Sequence, residues 1–85
     1  MNLIVFDLEA TCWQDQKHGK QQEIIEIGAV KLDRLGEISD EFCEFIKPLI
    51  HPILSEFCKE LTTINQSTVD TAAHFPVVLN QFQQW

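Results

Sequence analysis

The stretch Val5-Phe6-Asp7-Leu8-Glu9-Ala10-Thr11 decides how this chain is read. It continues an apolar run that begins at Leu3, and Leu3-Ile4-Val5-Phe6 reads as a central strand buried on both faces. Side chains alternate along a strand, so Asp7 and Glu9 point to one face, about 6.5–7 Å apart along the backbone. Two carboxylates at the end of a buried strand repel each other and lose solvation if both stay charged. A divalent cation between them removes both penalties. Hard oxygen ligands, without softer His or Cys partners, point to Mg²⁺ or Mn²⁺. A strand end that simply turns into solvent also carries Asp and Glu, so D-x-E by itself leaves a purely structural role open.

Downstream of the motif, residues 14–22 are polar, contain Gly19, and read as a loop. Ile24 to Leu32 is a second strand rich in Ile and Val. Asp33-Arg34-Leu35-Gly36 supplies a hairpin-length connection with a glycine available for positive φ. Residues 38–47 read as a third strand, with Ile38, Phe42 and Ile46 on one face and Cys43 and Phe45 on the other. Pro48 and Pro52 end it. The simplest arrangement is an antiparallel three-strand meander.

After Pro52 the apolar period changes from two to about 3.6. Leu54, Phe57, Cys58 and Leu61 form one stripe on a short helix with Ser55 as its cap. Asn65 is placed to cap a second helix over 66–71. A third begins near Phe75, with Pro76 in its first turn and a stripe of Phe75, Val78, Leu79, Phe82 and Trp85. No stop signal precedes Trp85, so the pattern predicts that the helical segment has been cut there.

Composition narrows the function classes. Eighty-five residues make at most one small domain. With 45% hydrophobic and 22% charged residues, the chain is ordinary for a globular protein. It has no apolar run of membrane-spanning length and no signal peptide, so no membrane partner is expected and a cytoplasmic address follows by default. Cys12, Cys43 and Cys58 are an odd number without a C-x-x-C pair, which argues against a disulfide framework or a zinc knuckle and for plain packing thiols. The net charge of −7 counts against a nucleic-acid partner unless metal ions supply the positive charge.

The motif resembles the first exonuclease motif of the DEDDh, or DnaQ-like, 3′–5′ exonucleases, and Glu23-Ile24-Ile25-Glu26-Ile27-Gly28-Ala29-Val30 is similar to that family's second strand. The match continues through Phe45-Ile46-Lys47-Pro48, Phe57-Cys58-Lys59-Glu60-Leu61-Thr62-Thr63-Ile64, Gln66, Val69-Asp70-Thr71-Ala72 and Phe75-Pro76-Val77-Val78-Leu79, with Phe82 and Trp85 in register. It most resembles the branch of histone-mRNA and small-RNA trimming enzymes and the bacterial sporulation-inhibitor exonuclease. The resemblance implies an α/β, RNase H-like fold in which residues 1–85 are the N-terminal part of a single exonuclease domain. It implies hydrolysis at the 3′ end of single-stranded nucleic acid, RNA ahead of DNA, with two Mg²⁺ (or Mn²⁺) ions about 3.5–4 Å apart. On the same basis Asp7 and Glu9 bind metal, and Glu9 lies beside the attacking water. Ala10 and Thr11 sit where the backbone approaches the terminal nucleotide, and Phe57 and Leu61 line the pocket for its base. The helical period reads those last two simply as packing residues.

The family also needs a third carboxylate after a further strand and an H-x-x-x-x-D on a late helix, and neither is present here. His18 and His51 are each followed by Glu at that offset, but neither lies on a helix; with His74 they read as surface or helix-entry residues. Glu37, Asp40, Glu41 and Glu44 read as a solvated strand face. Lys17, His18 and Lys20 are candidates to touch phosphate, and Glu26 to support Asp7. The expected function is therefore an exonuclease whose catalytic set is incomplete within 85 residues. A non-catalytic nucleotide- or RNA-binding remnant, or a protein-interaction module, are the alternatives.

Overall fold

The computed structural model describes residues 3–15 and 19–85. The chain runs β1 (Leu3–Ala10), β2 (Ile24–Leu32), β3 (Ile38–Phe45), α1 (Glu56–Thr62), α2 (Gln66–Asp70) and α3 (Phe75–Gln84). The strands form one antiparallel sheet in the order β1-β2-β3, the meander expected from the apolar runs. Its hairpin is set by local chemistry: Asp33 Oδ1 accepts from the amides of Leu35 and Glu37, and Gly36 takes a φ of 81°. That left-handed geometry favours glycine.

β2 is the middle strand and buries Ile25, Ile27 and Ala29 beneath the helices. Two apolar clusters divide the core. Ile25 packs with Leu54, Cys58, Ile64 and Val69, joined by Cys12 and Phe45. Ile27 packs with Ile46 and Val78, joined by Ile24, Phe42 and Phe82. The second cluster seats α3, and its aromatic contacts extend to Phe6 and Trp85. Trp85 donates its indole N–H to Asp40 Oδ2 at 2.8 Å, while Lys31 Nζ lies 4.4 Å from the ring centroid and donates to the Trp85 carbonyl.

The caps explain the helix boundaries. Ser55 Oγ accepts from the Cys58 amide at 3.0 Å and starts α1; Thr63, at φ 61°, ends it. Asn65 occupies the N-cap position of α2 without a side-chain cap bond. Gln66 does the local fastening instead, accepting from the Leu54 amide and donating to the Pro52 carbonyl and Asp70 Oδ1. His74 enters α3, and its Nδ1 lies 3.0 Å from the Lys47 carbonyl.

Four expectations are corrected. β1 is not a buried central strand: it forms an edge of the sheet, and Leu3, Ile4, Val5, Phe6 and Leu8 are 41–59% exposed. β3 stops at Phe45, because the Lys47 amide turns from the sheet to the Ala73 carbonyl. Leu61 does not join the α1 stripe; it is 65% exposed. Asp40 is not merely solvated, since it holds the Trp85 indole. Among the described residues no helix is long and apolar enough to cross a membrane.

Candidate active site

Asp7 and Glu9 are alternate residues of β1 and so share one face of the sheet. Across the ladder Asp7 stands opposite Gly28, and Glu9 opposite Glu26. A Cβ at Gly28 would meet nothing within 4 Å, so the floor beside Asp7 is open. Asp7 is exposed and its Oδ1 accepts from the Leu8 amide at 2.9 Å, whereas Glu9 is half-buried. Glu26, expected near Asp7, stands directly opposite Glu9 on the face that Asp7 shares, and accepts from Cys43 Sγ at 3.3 Å. Burial, then the Glu26 contact, pushes the Cys43 thiol up from its ordinary pKa.

The register shifts between Glu9 and Ala10, which leaves an extra residue on β2 and bends the ladder where the motif ends. There the Ala10 carbonyl lies 3.7 Å from Cys58 Sγ on α1. Thr11 follows, 2% exposed and fully engaged by the far end of the loop. Its amide donates to the Glu23 carbonyl at 2.8 Å, its Oγ1 accepts from the Glu23 amide at 2.8 Å, and its carbonyl accepts from Gln22 Nε2 at 2.9 Å. The Thr11 side chain therefore positions the motif.

Glu23 extends this clasp. Its carboxylate accepts the amides of Leu49, Ile50 and His51 at 2.6, 2.9 and 3.0 Å. Desolvation alone would raise its pKa, but these three amides, with His51 the strongest, outweigh it and hold the carboxyl below its ordinary value. Ser55 Oγ donates to the Cys12 carbonyl at 2.7 Å, which fastens the same loop to the start of α1. The Cys12 thiol is pushed up to about 11, by burial first and then by Cys58 and Glu9. A thiol so far from ionising is a poor nucleophile, in keeping with a packing role.

Phe57 is half-buried on α1 and Leu61, one turn on, is exposed, so this pair is not spent on the core. The same helix buries Cys58 against the end of the motif. Trp13 meets His51 edge-on at 5.3 Å and 80°, and Lys20 Nζ stands 5.1 Å from the Trp13 centroid. The candidate phosphate contacts Lys17 and His18 lie outside the described residues. His74 is a helix-entry residue, as expected, whereas His51 is half-buried. The contacts of Glu23 and Trp13 beside the motif were not foreseen. Trp13 had a legible signal, an aromatic ring in a polar loop two residues past the motif; Glu23 had none.

Among the described residues no three His, Cys, Asp or Glu side chains gather to hold a metal ion. Asp7 and Glu9 are nevertheless suitable donors for a hard cation, because Mg²⁺ is commonly held by one or two carboxylates, several waters and a substrate phosphate. Two surface hollows, of about 570 Å³ beside Phe45 and Thr71 and about 380 Å³ beside Ile24 and Phe75, are lined by neither acid. The motif is an open strand end.

An exonuclease family model (RNase_T) matches residues 4–85. The chain is 51% identical over 84 residues to human ERI1 exoribonuclease 2, which covers 98% of this chain and 12% of that protein. It is 40% identical over 86 residues to the 3′-5′ exonuclease Snipper of Drosophila melanogaster, over 98% of this chain and 31% of that one. The solved nuclease domain of 3′hExo, a DEDDh family member bound to rAMP, superposes with a TM-score of 0.95 at 39% identity, covering 99% of this chain and 42% of that one. The cell-death related nuclease CRN-4 superposes at 0.89 with 33% identity, over 99% and 29%. The chain thus spans less than half the length of each of these relatives. A match running from the first strand to the last helix, together with the shared RNase H-like topology, places this chain in the exonuclease family, among the DEDDh enzymes.

Proposed function

We propose that residues 1–85 are the N-terminal part of a single 3′–5′ exonuclease domain and carry its first catalytic motif. The substrate is the 3′ end of single-stranded nucleic acid, RNA ahead of DNA. The observation that carries this reading is the pair Asp7 and Glu9 on one face at the end of β1, within a family match over residues 4–85. Relatives that bind a histone mRNA stem-loop or rAMP support the choice of RNA.

In this reading Asp7 and Glu9 hold Mg²⁺ or Mn²⁺, and Glu9 also orients the attacking water. Two such ions, when bound, supply Lewis acidity that makes the water a nucleophile and neutralises charge on the leaving oxygen. A pair of ions needs carboxylates beyond Asp7 and Glu9. The backbone at Ala10 and Thr11 sets the position of the terminal nucleotide, and the unspent face of α1, Phe57 and Leu61, receives its base. A cytoplasmic setting belongs to the same proposal and rests on the three free thiols.

The lack of a three-ligand cluster among the described residues favours a second reading, a nucleotide- or RNA-binding remnant without catalysis. One assay decides between them: release of 5′-mononucleotides from an end-labelled oligonucleotide with Mg²⁺. Residues 1–85 alone should release none and bind Mg²⁺ only at a roughly millimolar level by calorimetry. A longer protein containing them should release nucleotides and lose that activity on Asp7→Ala or Glu9→Ala. Undiminished activity in either variant would exclude these two acids from the reaction.

A further inference from the structure

Cys12 and Cys58 meet where the motif loop joins α1, and the chemistry above uses neither. One hydroxyl ties their backbones together: Ser55 Oγ donates to the Cys12 carbonyl at 2.7 Å and accepts from the Cys58 amide at 3.0 Å. The Cys12 side chain packs against the cluster that contains Cys58, and Cys58 is among the groups that keep the Cys12 thiol protonated. The Cys58 thiol is fully buried and lies 3.7 Å from the Ala10 carbonyl. Cys12 is half-buried, so it is the sulfur that a small solute reaches first. The third thiol, Cys43, stands on β3 and donates to Glu26 instead.

We propose that Cys12 and Cys58 are a redox-sensitive pair, which a peroxide joins in a disulfide that clamps the motif loop to α1. In the first step the Cys12 sulfur attacks hydrogen peroxide. The O–O bond breaks, an S–O bond forms, and the thiol proton leaves with the displaced hydroxide as water. The Cys58 sulfur then attacks the sulfenic acid so formed. The S–S bond forms, the S–O bond breaks, and the Cys58 proton leaves with hydroxide as a second water. Two thiols are oxidised to one disulfide, and one peroxide is reduced to two waters. The shared anchor at Ser55 keeps the two backbones at the short range that a disulfide demands. Because the Cys12 thiol holds its proton, the first step is slow, and the pair closes only under a sustained oxidant. Once closed, Cys58 has no proton to share with the Ala10 carbonyl, and its chain neighbour Phe57 is drawn with it. On the exonuclease reading Ala10 and Phe57 are two walls of the terminal-nucleotide site, so the disulfide weakens nucleotide binding. The bond itself does not depend on that reading.

The test treats residues 1–85 carrying Cys43→Ser, which removes the exposed thiol, with hydrogen peroxide and then with dithiothreitol. Peptide mapping by mass spectrometry should find Cys12 joined to Cys58 within one chain, lighter by two hydrogens, and dithiothreitol should undo the link. Titration with 5′-AMP and Mg²⁺, followed by ¹H–¹⁵N NMR, should shift the Ala10 and Thr11 amides of the reduced chain. The oxidised chain should lose that response and regain it on reduction. Cys12→Ser in the same background should keep the response after peroxide, which separates the disulfide from any other oxidation. Unreacted thiols, or a sulfinic acid in place of the link, overturn the pair and leave the exonuclease reading standing. A link that leaves the AMP response intact overturns its effect on the site. No AMP response in the reduced chain overturns the placement of the nucleotide at Ala10 and Thr11, and the pair then stands or falls on the peptide map alone.

Discussion

The carboxylate of Glu23 accepts three amides from residues 49–51, and its own amide donates to Thr11, so one residue ties the motif loop to the segment that leads into α1. Because its folded pKa lies below the ordinary 4.5, the clasp contributes stability above that pH and loses it as pH falls through the depressed folded value. Glu23→Gln should destabilise the chain by about 1–2 kcal/mol at neutral pH. The gap to wild type should close in acid, as urea unfolding at a series of pH values would show; a gap independent of pH would mean that the charge plays no part. The placing of Asp7 and Glu9 on one strand face was legible in the sequence because two acids, one residue apart, end an apolar run. Glu23 was not, because its partners lie 26 to 28 residues away and are backbone amides, which have no signature in side-chain identity.

At the scale of elements, the antiparallel pairing of β2 with β1 and β3 and the Ser55 cap were readable from period and turn chemistry alone. The burial of β1 was not. A continuously apolar strand says that both faces suit an interior, but which neighbours cover them depends on chain outside the strand. Among the described residues one ladder edge of β1 is unpaired, and the strand carries no lysine or proline to discourage pairing with another copy. Sedimentation should therefore reveal concentration-dependent self-association of residues 1–85. Val5→Lys, which places a charge on this 49% exposed position, should shift the population toward monomer. A wild-type chain that stays monomeric at high concentration would show the edge to be protected in some other way.

As a whole, the molecule exposes 5975 Å², against about 5,200 Å² expected for a folded monomer of 9.8 kDa. Much of what remains uncovered is apolar, including Leu49 and Ile53 at 73% and 74% exposure. The overall topology was readable because each element's period agreed with its neighbours; the division of the core was not, because periodicity shows which residues are buried and not which ones meet. That division has a consequence for cooperativity. The cluster around Val78 and the cluster around Cys58 share the strands β2 and β3 but no helix, so α3 can undock while Ile25, Leu54 and Val69 stay packed. Hydrogen exchange should separate two classes of amide, those of α3 opening at a lower free energy than those of β2. A single common opening energy would show instead that the halves melt together. If the two classes exist, this small chain behaves as two foldons hinged on one sheet, and a single Tm describes neither of them.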